Sequence, residues 1–117
     1  MAIPIAVQVF SVRGDAEKDF AGTLAKLREM GYTGVELAGL YGHAPAAVRA
    51  MLERCDLKPV SAHVPFVELC EKTEQTLDDY ASMGFRFVAV PYLDPKNRPG
   101  SGDFTQTMRE IARIGSA

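Results

Sequence analysis

Three polar side chains interrupt three otherwise apolar runs: Gln8 in "IAVQVF", Glu36 in "TGVELA" and His63 in "VSAHVP". A carboxylate and an imidazole are the commonest pair for moving a proton near neutral pH. With a carboxamide beside them they can also bind hydroxyl groups. One glutamate and one histidine do not complete a metal site, which takes three or four such ligands. Each residue also has a plainer reading. His63 can be a buried neutral histidine bonded to backbone. Glu36 can be a buried charge paired with a base such as Arg13, or a carboxylate whose pKa is raised for proton transfer. Gln8 can be a polar plug.

What decides between these readings is the set of elements that must carry the three residues. The chain alternates short valine-rich runs with longer segments of helical spacing. The first strand is expected over Ile3 to Ser11, followed by a helix that Asp15 caps, with Phe20, Leu24, Leu27 and Met30 inward and Gly31 ending it. A second strand spans Thr33 to Ala38, and Pro45 opens a helix that buries Val48, Met51, Leu52 and Cys55. The third strand is Lys58 to Val64. Its helix runs from Val67 to Met83, with Leu69, Cys70, Leu77 and Tyr80 inward, and Gly84 terminates it. The fourth strand is Arg86 to Tyr92. "LDPKNRPGSG" then forms a loop, and Asp103 with Gln106 forms a capping box for a last helix carrying Phe104, Met108 and Ile111.

Four βα units in series demand a parallel sheet with right-handed crossovers. An open doubly wound sheet and part of a (βα)8 barrel both accept that order. The alternation within the strands favours the barrel, because each strand has a bulky aliphatic face and a smaller or more polar one. Ile5, Val7 and Val9 oppose Ala6 and Gln8; Val35 and Leu37 oppose Gly34, Glu36 and Ala38. Val60, Ala62 and Val64 oppose Ser61 and His63, and Val88 and Val90 oppose Ala89 and Pro91. Gln8, Glu36 and His63 then share the smaller face, toward the carboxyl ends of three consecutive strands, where barrel sites are built. An open flavodoxin-like sheet would instead turn Glu36 and His63 toward helices and hold them apart. The expected organisation is one (βα)4 half-barrel domain over residues 1–117.

Composition narrows the partners. The 117 residues have a formal net charge of −2 without a basic run, which speaks against nucleic acid and anionic membrane. No apolar stretch approaches the ~20 residues that span a bilayer. The N-terminus "MAIPIAVQVF" lacks the features of a signal peptide, so a cytoplasmic protein is expected. Cys55 and Cys70 have no CxxC spacing and stand where small apolar residues belong.

The run "IAVQVFSVRGDAEKDFAGTLAKLREMGYTGVELAGLYG", then "LKPVSAHVP", then "FVAVPYL", resembles the start of the sugar phosphate isomerase/epimerase family of xylose-isomerase-like TIM barrels. The resemblance rests on "QxxSVR" at Gln8 to Arg13, "GYxGVE" at Gly31 to Glu36 and "SAHVP" at Ser61 to Pro65, in that order. It implies aldose–ketose isomerisation or epimerisation of a small sugar or sugar phosphate, by proton abstraction assisted by Mn, Mg or Zn. It further implies that the metal ligands lie mainly on later strands, to which no position here corresponds. This chain alone is then expected to ligate no metal fully and to be inactive. Glu36 and His63 are the candidate catalytic residues, and Gln8, Arg13, Glu36, His63 and Tyr92 the candidate substrate contacts. The related AP endonucleases add histidines after strands three and four. His63 matches the first, but Pro91 and Tyr92 replace the second, which disfavours a multinuclear zinc site. A complete barrel takes about 250 residues. A half-barrel would leave open sheet edges, so self-association or a separate second half is expected. The alternative is a non-catalytic half-barrel that self-associates and binds a small polyol.

Several loop residues have two readings each. Arg13 can hold a phosphate or lie on the surface. Tyr41 and His43 can wall a pocket or fill a turn. Tyr92 and Asp94 can meet a ligand or form the "LDP" turn, and Phe66 is expected to pack its loop.

Overall fold

The computed structural model describes residues 2–117. Four strands, β1 (Ala6–Gln8), β2 (Gly34–Ala38), β3 (Lys58–His63) and β4 (Phe87–Ala89), pair in parallel in the order β1-β2-β3-β4. Sequential neighbours joined by right-handed crossovers put every connecting helix on one side of the sheet. That order excludes the flavodoxin-like sheet, whose strand order reverses. The helices are α1 (Arg13–Lys18), α2 (Phe20–Glu29), α3 (Pro45–Arg54), α4 (Phe66–Glu71), α5 (Thr73–Ser82) and α6 (Phe104–Gly115). No helix among the described residues is long and apolar enough to cross a membrane.

One face of the sheet is a dry core. Val9, Val35, Leu37, Ala62 and Val64 from the strands and their ends pack with Phe20, Leu24 and Leu27 of α2, Val48 and Leu52 of α3, and Leu69 and Tyr80 of α4 and α5. The other face carries Gln8, Glu36, His63 and Phe87, and no helix of the described residues covers it.

The outer strands are shorter than their apolar runs. β1 pairs with β2 only as far as Gln8, and the chain then turns into a short 3-10 segment, Val9–Val12, that drops Val9 into the core. Ile5 accepts a bond from the Thr33 amide but its side chain is exposed. β4 ends at Ala89, and Pro91 has no N–H with which to extend the ladder.

Two expected helices are each split. The first breaks at Asp19, not Asp15: Asp19 has extended backbone (φ −155°, ψ 89°), and its carboxylate accepts the Gly22 amide at 2.9 Å to cap α2. A Cβ on Gly22 would stand 2.1 Å from that carboxylate, so a larger residue there would make the Asp19 side chain shift. Met30 falls past the last buried turn and is exposed. The second breaks at Lys72. Thr73 Oγ1 donates back to the Leu69 carbonyl at 2.5 Å, while Arg113 of α6 donates to Thr73 Oγ1 at 3.0 Å and to the Cys70 carbonyl at 3.3 Å. These side chains take over carbonyls that a continuous helix would use.

Gly31 and Gly84 end their helices with φ of +102° and +95°, as the spacing predicts. The capping box before α6 does not form. Asp103 makes no side-chain cap bond, and Gln106 reaches Glu110 instead. Asn97 donates to Thr107 Oγ1 at 3.0 Å and turns Thr107 into the interior, which leaves Met108 exposed.

β3 contains the largest departure from simple alternation. The register with β2 shifts between Val35 and Glu36: Val35 faces Pro59, but Glu36 faces Ser61. Val60 is the extra residue of this bulge and does not point at the helices as expected. It is 42% exposed and lies over Gly34 on the bare face, while Pro59 takes the helix side against Gly84.

Candidate functional site

The bulge leaves Ser61 and His63 on the face that already holds Gln8 and Glu36. Register aligns Gln8, Glu36, Ser61 and Phe87 in one row across the four strands, with Ala38, His63 and Ala89 in the next row toward the carboxyl ends. The Gln8 amide donates to Glu36 Oε1 at 2.6 Å, and His63 Nε2 lies 3.1 Å from the same oxygen. Ser61 Oγ donates to Glu36 Oε2. One carboxylate thus ties together side chains from three strands, and it is not paired with Arg13.

These bonds set the charge state. Hydroxyl donation from Ser61, then amide donation from Gln8, hold the Glu36 carboxyl below its ordinary range against the opposing effect of burial, with the nearby His63 a smaller contribution. The direction is opposite to that of a carboxylate tuned upward for proton transfer. Gln8 Nε2 and His63 Nε2 are 3.4 Å apart. A proton on His63 Nε2 donates to Glu36 and leaves the Gln8 amide to serve Glu36 alone. Nδ1 is then the acceptor of the neutral ring.

Above this network lies a concave pocket of about 480 Å³, lined by Gln8, Phe10, Ala38, Gly39, His63, Pro65, Pro91 and Tyr92. Glu36 and Ser61 are outside that lining. Glu36 holds Gln8 from the same row and His63 from one row down, and Ser61 braces Glu36. An apolar wall with a few fixed polar groups is the usual constitution of a small-molecule site. Both aromatic walls carry an arginine: Arg13 lies 4.1 Å over the Phe10 ring and Arg98 lies 4.9 Å over the Tyr92 ring. Arg13 also donates to the Phe10 carbonyl at 2.9 Å and is exposed behind the wall rather than in it.

The structure therefore brings Gln8, Glu36, His63 and Tyr92 to one place and sets Arg13 beside it. Tyr41 and His43 lie elsewhere, packed on Phe20 with ring centroids at 5.0 and 5.7 Å. Burial first, then Glu17, pushes the Tyr41 phenol up, with Arg13 opposing. Asp94 and Phe66 line a neighbouring recess with Cys70 and Lys96. Ser61, Phe10 and Arg98 were not singled out from the sequence. For Ser61 the signal was present, since it precedes His63 by the two-residue strand period.

A divalent cation does not fit these residues by themselves. Glu36 Oε1 and His63 Nε2 are bonded to each other. Among the described residues no group of three or more His, Cys, Asp or Glu could hold a metal ion.

No family model matches the sequence, and no curated protein matches it. Among solved structures, the chain superposes on two sugar phosphate isomerase/epimerases from Parabacteroides distasonis. The first gives a TM-score of 0.67 at 20% identity over 97% of this chain and 48% of that one. The second gives 0.65 at 16% identity over 97% and 45%. The chain thus has the fold of half of such a TIM-barrel-like structure, consistent with the amino-terminal half, and spans about half the length of the two solved structures.

Proposed function

We propose that this chain supplies the sugar-binding face of an isomerase/epimerase-type barrel, with His63 as the acid–base group and Glu36 as the carboxylate that orients it. The observation that carries this reading is the Gln8–Glu36–His63 contact set beneath the pocket. An ionised Glu36 favours the His63 tautomer protonated on Nε2, so that Nδ1 is free to take a proton from a substrate and return it to a neighbouring atom. Gln8 orients sugar hydroxyls, and Phe10 and Tyr92 offer their ring surfaces to the carbon skeleton. Arg98 and Arg13, stacked on those rings, favour an anionic substituent such as a phosphate. The metal-assisted chemistry implied by the family would need ligands beyond those present here, and none of these roles depends on it.

Non-catalytic polyol binding is the second reading. It is favoured by the low proton affinity of Glu36, which suits a hydrogen-bond acceptor better than a base.

Titration of the 15N-labelled chain with a panel of aldoses, ketoses and their phosphates tests the site. His63→Ala is expected to weaken binding about tenfold, the cost of one good hydrogen bond in a partly dry site. Unchanged affinity in both His63→Ala and Glu36→Ala would remove the site, and unfolding of both would make them structural residues. Turnover of any bound sugar separates enzyme from binding module.

A further inference from the structure

The bare face of the sheet is more apolar than a ligand pocket needs. Phe87 is 66% exposed in the same row as Ser61, Glu36 and Gln8, and Val60 is 42% exposed toward the amino ends. β1 and β4 each pair on one side only, so both outer edges of a parallel sheet stand open. Open apolar edges of this kind are templates for pairing with another chain.

We propose that a second copy of this chain covers the face, with β4 of each copy pairing in parallel with β1 of the other to close an eight-stranded barrel. Three observations select this occupant. A twofold axis running along the strands leaves strand direction unchanged, so the partner copy's β1 meets β4 in the parallel sense used by every existing pair; an axis across the strands would force antiparallel pairing. The match takes in 97% of this chain but only 48% and 45% of the two barrel-type structures, so two copies together equal about the length of one such structure. Finally, the one carboxylate in the central row, Glu36, is already held by Gln8, Ser61 and His63, so closure does not bury an unpaired charge there. Phe87 becomes a side chain of the closed interior, and the two pockets open at the same end of one barrel. This inference does not rest on the ligand reading.

Sedimentation equilibrium of the chain from low to high micromolar concentration should give twice the chain mass. Phe87→Glu, at a side chain exposed in the single copy, should weaken association at least about tenfold, as for a central aromatic anchor, with the far-UV circular dichroism unchanged. Val67→Glu, at an equally exposed apolar residue on α4, should leave association intact. Amide exchange in Ala6–Gln8 and Phe87–Ala89 should slow with concentration in the parent chain and not in Phe87→Glu. A single-copy mass at the highest concentration overturns the proposal. So does a dimer indifferent to Phe87→Glu, or one whose β1 and β4 amides gain no protection.

Discussion

The two faces of this sheet are made from alternate residues of the same short strands and have opposite fates. Leu37 is fully buried under helices, while its neighbour Glu36 stands over the open side with a quarter of its side chain exposed. On the helix side, burial of contiguous aliphatic groups supplies stability. On the other, a carboxylate is held by directed bonds from Ser61, Gln8 and His63, and apolar groups such as Phe87 remain in water. Stability and chemistry are thus separated by one residue of strand period.

The sharpest way to break this comparison is to truncate one residue on each side. Leu37→Ala should cost about 3 kcal/mol of unfolding free energy, as for other fully buried leucines. Val60→Ala, on the bare side, should cost less than about 1 kcal/mol. Urea denaturation measures both, and equal costs would mean that the two faces are energetically alike.

A smaller effect is expected at the bulge, where the faces are mechanically linked. A Cβ on Gly34 would lie 2.9 Å from Val60 Cγ2 and 3.1 Å from the Lys58 carbonyl. Gly34→Ala should destabilise by about 1–2 kcal/mol, and adding Val60→Ala should recover part of the loss. Strict additivity of the two would show that the contact is relieved some other way.

Next comes a titration. Ser61→Ala removes the largest cause of the depressed Glu36 pKa, which should rise toward the ordinary carboxylate value. Because the folded pKa is depressed, Glu36 contributes stability above its unfolded pKa and loses it as pH falls through the folded one. In Ser61→Ala that contribution is smaller and its loss is complete at a higher pH. Carbon-detected titration of the Glu36 carboxyl checks this, and an unmoved midpoint would assign the depression elsewhere. The smallest change is expected for Met30→Lys: the side chain is 71% exposed, and the variant should stay within about 0.5 kcal/mol of the parent.

Much of this arrangement was legible in the residues. The two-residue period placed Gln8, Glu36 and His63 on one face, and the fold has them within hydrogen-bonding distance of one another. Helix ends at Gly31 and Gly84 followed from local backbone preference. Helix interruptions did not: Asp19 breaks its helix with a local cap on Gly22 that Asp15 offered equally well by spacing, and the break at Lys72 involves a side chain that only folding brings near. For Lys72 the decisive group, Arg113, lies on α6, far along the chain. Val60 read as a core valine because alternation assumes an unbroken register, and the bulge is a property of two paired strands, not of either one.

The sequence by itself determined the four βα units, the direction of most of the aliphatic stripes and the identity of the polar triad, since these depend on periods of 2 and 3.6 residues along one segment. Only the tertiary structure decided that Ser61 joins the triad, that Arg13 lies on Phe10 and not on Glu36, and that Tyr92 with Arg98 walls the pocket. Those outcomes depend on strand register and loop packing between segments distant in sequence, where a shift of one residue changes which atoms can meet.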